Sequence, residues 1–276
     1  MLPHAPQGTS EGDVLYEVKG PVAVLTLNRP ERMNALTLAA HRRLAQAIEE
    51  ADRDHQVRVI VLTGAGKAFS SGDDVSEVFL GPEEAAFQTW EARLRQIEGE
   101  HPFPGGGHLL LSLGKPSIAA VNGPAVGYGC ELALLCHMRV ASERARFSEI
   151  FLRVGSIPDE SLLILPRLVG LAKAYEMILT AEFIEAQEAE RIGLVNKVVP
   201  HDQLMPATLD LAEKIASQPP IAVRLALEGI RRGLAWPLES FMHFHALAAP
   251  FCSETEDHKE GARAFLEKRR PVFRGK

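Results

Sequence analysis

Twice along this chain a compact apolar run meets a glycine-rich loop that opens into a helix-forming segment, and that repeated order narrows the fold more than any other feature. VRVIVLTGAG (57–66) reads as a buried strand reaching glycine at Gly64, and the loop AFSSGDDV (68–75) follows. KPSIAAVNGPA (115–125) reads as a second buried strand, and the loop NGPAVGYGCEL (122–132) leads into the apolar helix GYGCELALLC. Runs this apolar belong to strands covered on both faces, as in a parallel sheet with helices packed on it. The neighbouring segments agree. VLYEVKGPVAVLTLNR (14–29) predicts a hairpin broken at Gly20-Pro21. Leu38, His41, Leu44, Ala45 and Ile48 stand at helical spacing and predict a helix ending near Asp52, with the Thr37 hydroxyl as its cap. His137–Ser142 and Leu194–Pro200 add strands, so the fold class is α/β with a largely parallel sheet.

After Pro200 the pattern becomes helical, with helices expected over 202–217, 219–234, 236–249 and 254–269, separated by Pro219-Pro220, Pro237 and Pro250. A helical stretch is also expected around Trp90, before the Gly105-Gly106-Gly107 turn. The domain reading is a disordered tail over 1–12, a core over 13–200 and a helical region over 201–276. The chain has 276 residues and a net charge of −6, because 36 acidic residues outnumber 30 basic ones, so no global basic field recruits nucleic acid or anionic lipid. Three cysteines without a CxxC pair fit a reduced, cytoplasmic protein, and no run approaches the ~20 apolar residues of a membrane span. His243 and His245 point to different helix faces and make a poor metal pair, so no metal site is expected. The SLGK at 112–115 has no partner motif of the kind that serine chemistry needs.

A glycine loop at a helix start presents backbone N–H groups to a phosphate or a developing oxyanion. Neither loop matches GxxxxGK[ST] or the GxGxxG fingerprint with its ribose-binding acid. Taken singly, each is better explained as a tight turn; taken together, two such loops could aim one N–H each at a single oxygen.

With these loops in their order, the chain resembles the crotonase, or enoyl-CoA hydratase/isomerase, superfamily. The resemblance runs from VAVLTLNRPERMNAL through KAFSSGDDV, KPSIAAVNGPAVGYGCELALLC, RFSEIFLRVGSIPD and LPRLVGLAKAYEMILTAEFIEAQEAERIGLVNKVV to TEDHKEGARAFLEKRRPVF. It implies a crotonase-like spiral of ββα repeats, a C-terminal helical oligomerisation region, a homotrimer or hexamer, and an acyl-CoA thioester as substrate. No separate cofactor is implied, since coenzyme A is part of the substrate. By motif position, the backbone N–H groups of Asp73 and Tyr128 would form the oxyanion hole, which suits an enolate whose charge gathers on the thioester oxygen. Tyr128 stands where many relatives carry glycine, so its side chain must find space and is expected to narrow the site.

The resemblance also locates the carboxylates. Hydratases of this kind use two glutamates; Glu131 matches the first, but Phe151 stands in the place of the second. Glu149 is two residues earlier, and in a helical segment two positions turn a side chain by ~200°, away from where Phe151 points. Asp159 lies where isomerising relatives carry an aspartate after the same proline. It reads either as the base or as the cap of a helix, bonding the N–H of Leu162. Glu160 reads as a first-turn helix acid or as a second acid facing the cavity. Glu131 is either a helix-start acid or a buried functional carboxylate. For coenzyme A, the resemblance points to Arg29 or Arg32 and to Lys268, with Phe265 against the adenine and Lys67 and Arg269 as weaker candidates. A solvated charged face is the plain alternative for each cation. The expected activity is proton transfer on an enoyl-CoA, with isomerisation favoured over hydration. The alternatives are a hydrolase or dehalogenase using Asp159 as nucleophile or water activator, and a catalytically silent acyl-CoA or RNA-binding relative.

Overall fold

The computed structural model describes residues 12–80 and 107–276. The expected tail, apart from Gly12, the helix around Trp90, and Gly105 and Gly106 lie outside the described residues. The expected hairpin forms: β1 (Val14–Lys19) pairs antiparallel with β2 (Val22–Leu27), with Lys19 opposite Val22 across the Gly20-Pro21 turn. From β2 the sheet is parallel through β3 (Val59–Gly64), β4 (Ser117–Val121), β6 (Met138–Ser142) and β9 (Lys197–Val199), in the order β1-β2-β3-β4-β6-β9. A second sheet of three short strands, β5 (Pro124–Val126), β7 (Arg146–Ser148) and β8 (Ile184–Glu185), lies outside the sequence expectation. Strands of two or three residues carry too little period-two signal to be read from sequence.

Side-chain alternation along the strands divides the core into two layers. Ala23, Leu25, Leu27, Ile60, Leu62, Ala119 and Val121 face the layer of α1 (Leu38–Arg53), which contributes Leu44, Ala47 and Ile48. Thr37 caps α1 as expected, its hydroxyl accepting from the Ala40 N–H at 3.0 Å. Val22, Val24, Val59, Val61, Ile118 and Val140 face the opposite layer and bury Leu204, Ala212 and Ala216. Full burial of a leucine side chain such as Leu44 is worth about 1.5–3 kcal/mol, and truncating it to alanine costs about 2–5 kcal/mol.

Loops leaving the parallel strands carry three short or apolar helices, α2 (Val75–Val78), α3 (His108–Ser112) and α4 (Tyr128–Leu135). Every residue of α4 is buried, which places it at the centre of the molecule. Next come α5 (Ser161–Val169), α6 (Leu171–Thr180) and α7 (Ala186–Arg191).

The C-terminal quarter is helical as expected: α8 (Leu204–Ala216), α9 (Pro220–Gly233), α10 (Leu238–Glu254) and α11 (Glu256–Leu266). Through the layer just described, α8 belongs to the packing of the sheet. By contrast, α9 and α10 bury no residue, and between them lies an apolar groove of about 780 Å³ bordered by Ile230, Leu234, Leu238 and Phe244. Pro250 does not end α10, as the sequence suggested; it lies inside the helix on an exposed position, where the lost N–H bond faces solvent.

Candidate active site

The two glycine loops meet. Ser70 and Ala125 form a parallel bridge, with the Phe69 and Ser70 N–H groups donating to the Pro124 carbonyl and the Val126 N–H to the Ser70 carbonyl. Gly72 has φ +91°, and a side chain there would fall 2.8 Å from the Val126 carbonyl oxygen and 3.2 Å from the Tyr128 nitrogen. Only glycine satisfies both the left-handed backbone and the close approach. A Cβ on Gly129 would likewise strike the Ser70 carbonyl at 2.4 Å, so α4 begins pressed against the first loop.

This contact positions the two peptides expected to hold an oxyanion. Asp73 lies in a parallel bridge with Leu36, in which Leu36 donates to the Gly72 carbonyl and accepts from the Asp74 N–H, leaving the Asp73 N–H directed away from Leu36. Tyr128 is the first residue of α4, and the helix's hydrogen bonding begins with Glu131 N–H to the Gly127 carbonyl, so the Tyr128 N–H has no partner within its helix. The Tyr128 ring is buried, 4.9 Å from the His41 ring, and its hydroxyl accepts from the Gly107 N–H at 3.0 Å. The side chain thus finds its space in the core. Burial first, and then the nearby acids, hold its hydroxyl well above the ordinary tyrosine range.

Around this backbone pair stand four acids. The Asp73 carboxylate meets His41 Nε2 at 2.9 Å. Carboxyl oxygens of Glu131, Asp159 and Glu160 all lie within 4.8 Å of one another. Asp159 is not the cap of α5: that helix starts at Ser161, Glu160 occupies the N-cap position, and no side chain caps it. Leu162 instead bonds the Asp159 backbone carbonyl at 3.3 Å. Asp159 keeps an opening to solvent, yet the chain around it removes water from one side of the carboxyl. That partial burial, with Glu160 and Asp73 adding negative charge, pushes it up to about 6. Glu131 is fully buried and accepts from the Ser161 N–H at 2.5 Å; burial, and then the charge of Glu149, push it up to about 9. The two carboxyls are therefore suited to opposite roles near neutral pH, Asp159 as base and Glu131 as acid. Phe151 is buried in a short 3-10 turn, Ile150–Val154.

A sequence profile described as enoyl-CoA hydratase/isomerase matches residues 17–276. The chain belongs to that family. A short-chain-enoyl-CoA hydratase of Clostridium acetobutylicum is 41% identical over 260 residues, covering 94% of this chain and 96% of the relative. The crotonyl-CoA hydratase of Syntrophomonas wolfei is 37% identical over 95% of this chain and 97% of its own length. The crystal structure of an enoyl-CoA hydratase from Bacillus anthracis superposes with a TM-score of 0.86 at 36% identity, covering 96% of this chain and all of that one. The fold is accordingly the crotonase fold.

In this enoyl-CoA hydratase/isomerase family member the residues expected at coenzyme A are differently committed. Arg29 donates to the Ala35 carbonyl at 2.7 Å and pairs with Asp74 at 3.2 Å, so its guanidinium fastens the 68–75 loop. Arg32, Lys67 and Lys268 are exposed, as is Phe265 at 83%. Arg269 is held by Glu260 and Glu267. Among the described residues no hydrogen bond or ion pair joins Arg29 or Arg32 to the Phe265–Lys268 segment.

Three further residues of the site were not anticipated. His41 read only as a helix-face position, and its contact with Asp73 spans 32 residues of sequence. Ser161, the first residue of α5, gave no signal. Glu149 was set aside only for a helical segment; it precedes the 3-10 turn with φ −91° and ψ 68°, and its carboxyl is fully buried. The ~200° rotation of a helix does not apply there, because the chain at 149 is not helical. A lone acid between Phe147 and Ile150 was the available clue.

Proposed function

We infer that this chain moves a proton on an enoyl-CoA thioester, and that it isomerises the double bond in preference to hydrating it. The carrying observation is the grouping of Glu131 and Asp159 beside the Asp73 and Tyr128 peptides, with buried Phe151 in place of a second glutamate. The Asp159 carboxylate takes the proton from the carbon next to the thioester carbonyl of a 3-enoyl-CoA. The electron pair moves onto the carbonyl oxygen, where the Asp73 and Tyr128 N–H groups stabilise it; one such donor is typically worth about 2.7–4 kcal/mol of barrier. Asp159 returns the proton two carbons further along, and the double bond ends conjugated to the carbonyl. Glu131 stays protonated beside Asp159 through the cycle, so the one proton moved is the one that Asp159 carries. The apolar Phe151 leaves no partner to orient an attacking water, which disfavours addition.

The substrate phosphates are held by Arg32 and Lys268 and the adenine by Phe265, while Arg29 supports the loop. The apolar faces of α9 and α10 suit a homotrimer or hexamer. Hydration is the second reading, favoured because the relatives named above are called hydratases. Assaying purified protein with 3-enoyl-CoA and 2-enoyl-CoA separates the two: the first reading predicts faster conversion of the 3-enoyl thioester, and faster water addition to the 2-enoyl thioester would replace it.

A further inference from the structure

Glu149 is a buried titratable group that the proton transfer above does not use. Its neighbourhood is unusual for a glutamate. Ser161 bridges two carboxyls: its backbone N–H donates to Glu131 Oε1 at 2.5 Å, and its hydroxyl donates to Glu149 Oε2 at 3.0 Å. Both glutamates are wholly buried, and each keeps one oxygen, Glu131 Oε2 and Glu149 Oε1, without a hydrogen-bond partner. Among the described residues neither carboxyl has an ion pair. Two buried carboxyls a single serine apart are costly to ionise together, so the pair retains a proton near neutral pH.

The surroundings decide which carboxyl holds it. Burial pushes Glu149 up to about 7; the Cys130 thiol and the Ser161 hydroxyl favour its charged form, and the charge of Asp159 opposes it. Glu131 has only the Ser161 N–H on the favourable side and faces the charges of Glu149, Asp159 and Glu160. The proton therefore rests on Glu131.

We propose that Glu149 is a positioning residue for Glu131: through Ser161 it fixes the Glu131 carboxyl and keeps it in the acid form beside Asp159. This inference rests on the reading of Glu131 as an acid of the site. It gives the Glu149–Ser161 pair part of the work that a second carboxylate at position 151 would otherwise do, from behind Glu131 rather than beside the substrate.

The test is Glu149→Gln, which preserves shape and still accepts from Ser161, together with Ser161→Ala, which keeps the backbone bond to Glu131 and breaks the bridge. In the pH profile of kcat, the limb lost on the alkaline side moves down by about one pH unit in Glu149→Gln, a tenfold change in proton concentration, while KM stays within twofold. Infrared titration of the substrate-free protein gives an independent reading: a protonated-carboxyl band absent from Glu131→Gln persists to higher pH in the wild type than in Glu149→Gln or Ser161→Ala. A limb and a band that stay in place in both variants would overturn the proposal. Because the band needs no substrate, it decides the Glu149 question even if the enoyl-CoA assays fail.

Discussion

Glu131 and Asp159 bring carboxyl oxygens within 4.8 Å of each other from opposite kinds of surroundings, one sealed in the molecule's centre and one open to solvent. That contrast separates their proton affinities, about 9 for Glu131 against about 6 for Asp159. An acid and a base at one reacting centre require such a separation. The predicted kcat profile is therefore a bell, rising as Asp159 loses its proton near pH 6 and falling as Glu131 loses its own near pH 9; a flat profile between pH 5 and 10 contradicts the assignment.

The same burial has a thermodynamic signature. The folded-state affinity of Glu131 lies above the unfolded value of 4.5, so the folded chain binds the extra proton between those limits. Its contribution to stability is fully present below pH 4.5 and is lost as pH rises through about 9. Glu131→Gln removes that dependence. The variant should lose turnover while its stability, relative to wild type, rises progressively from pH 6 to pH 9, by on the order of 2–4 kcal/mol at the alkaline end. Thermal melts at several pH values check the slope.

Asp73 offers a finer control. Its peptide N–H is proposed to serve the oxyanion, while its carboxylate meets His41 and raises the proton affinity of Asp159 through space. Asp73→Ala keeps the peptide. The acid limb of the kcat profile should shift below pH 6 while turnover at pH 8 stays within about tenfold. An unmoved limb means Asp73 does not act on Asp159.

Phe151→Glu places a carboxylate where the resemblance puts the second glutamate of hydratases. The ratio of water addition to isomerisation should increase at least tenfold, at a stability cost of about 1–3 kcal/mol for placing a polar group in a buried position. Product analysis by chromatography measures the ratio, and an unchanged ratio removes Phe151 from the argument.

Much of this was legible in the chain. The hairpin, the parallel strands and the Thr37 cap follow from β-branched runs, a Gly-Pro break and one hydroxyl in the right place. The two loops were legible because Gly72 and Gly129 have no substitute where backbones touch. What escaped detection depends on contacts between distant segments: His41 with Asp73, and Ser161 with both Glu131 and Glu149. Asp159 was ambiguous between base and cap, and the fold removed the cap by starting α5 one residue later, with Glu160 at the N-cap.

The central claim is that Asp159 is the base. Turnover of 3-enoyl-CoA by Asp159→Asn, followed across pH against wild type, tests it most directly. With Asp159 as the base, kcat falls about 10²–10⁴-fold and the limb near pH 6 disappears while acyl-CoA binding is retained; full turnover with the limb intact rules that base out.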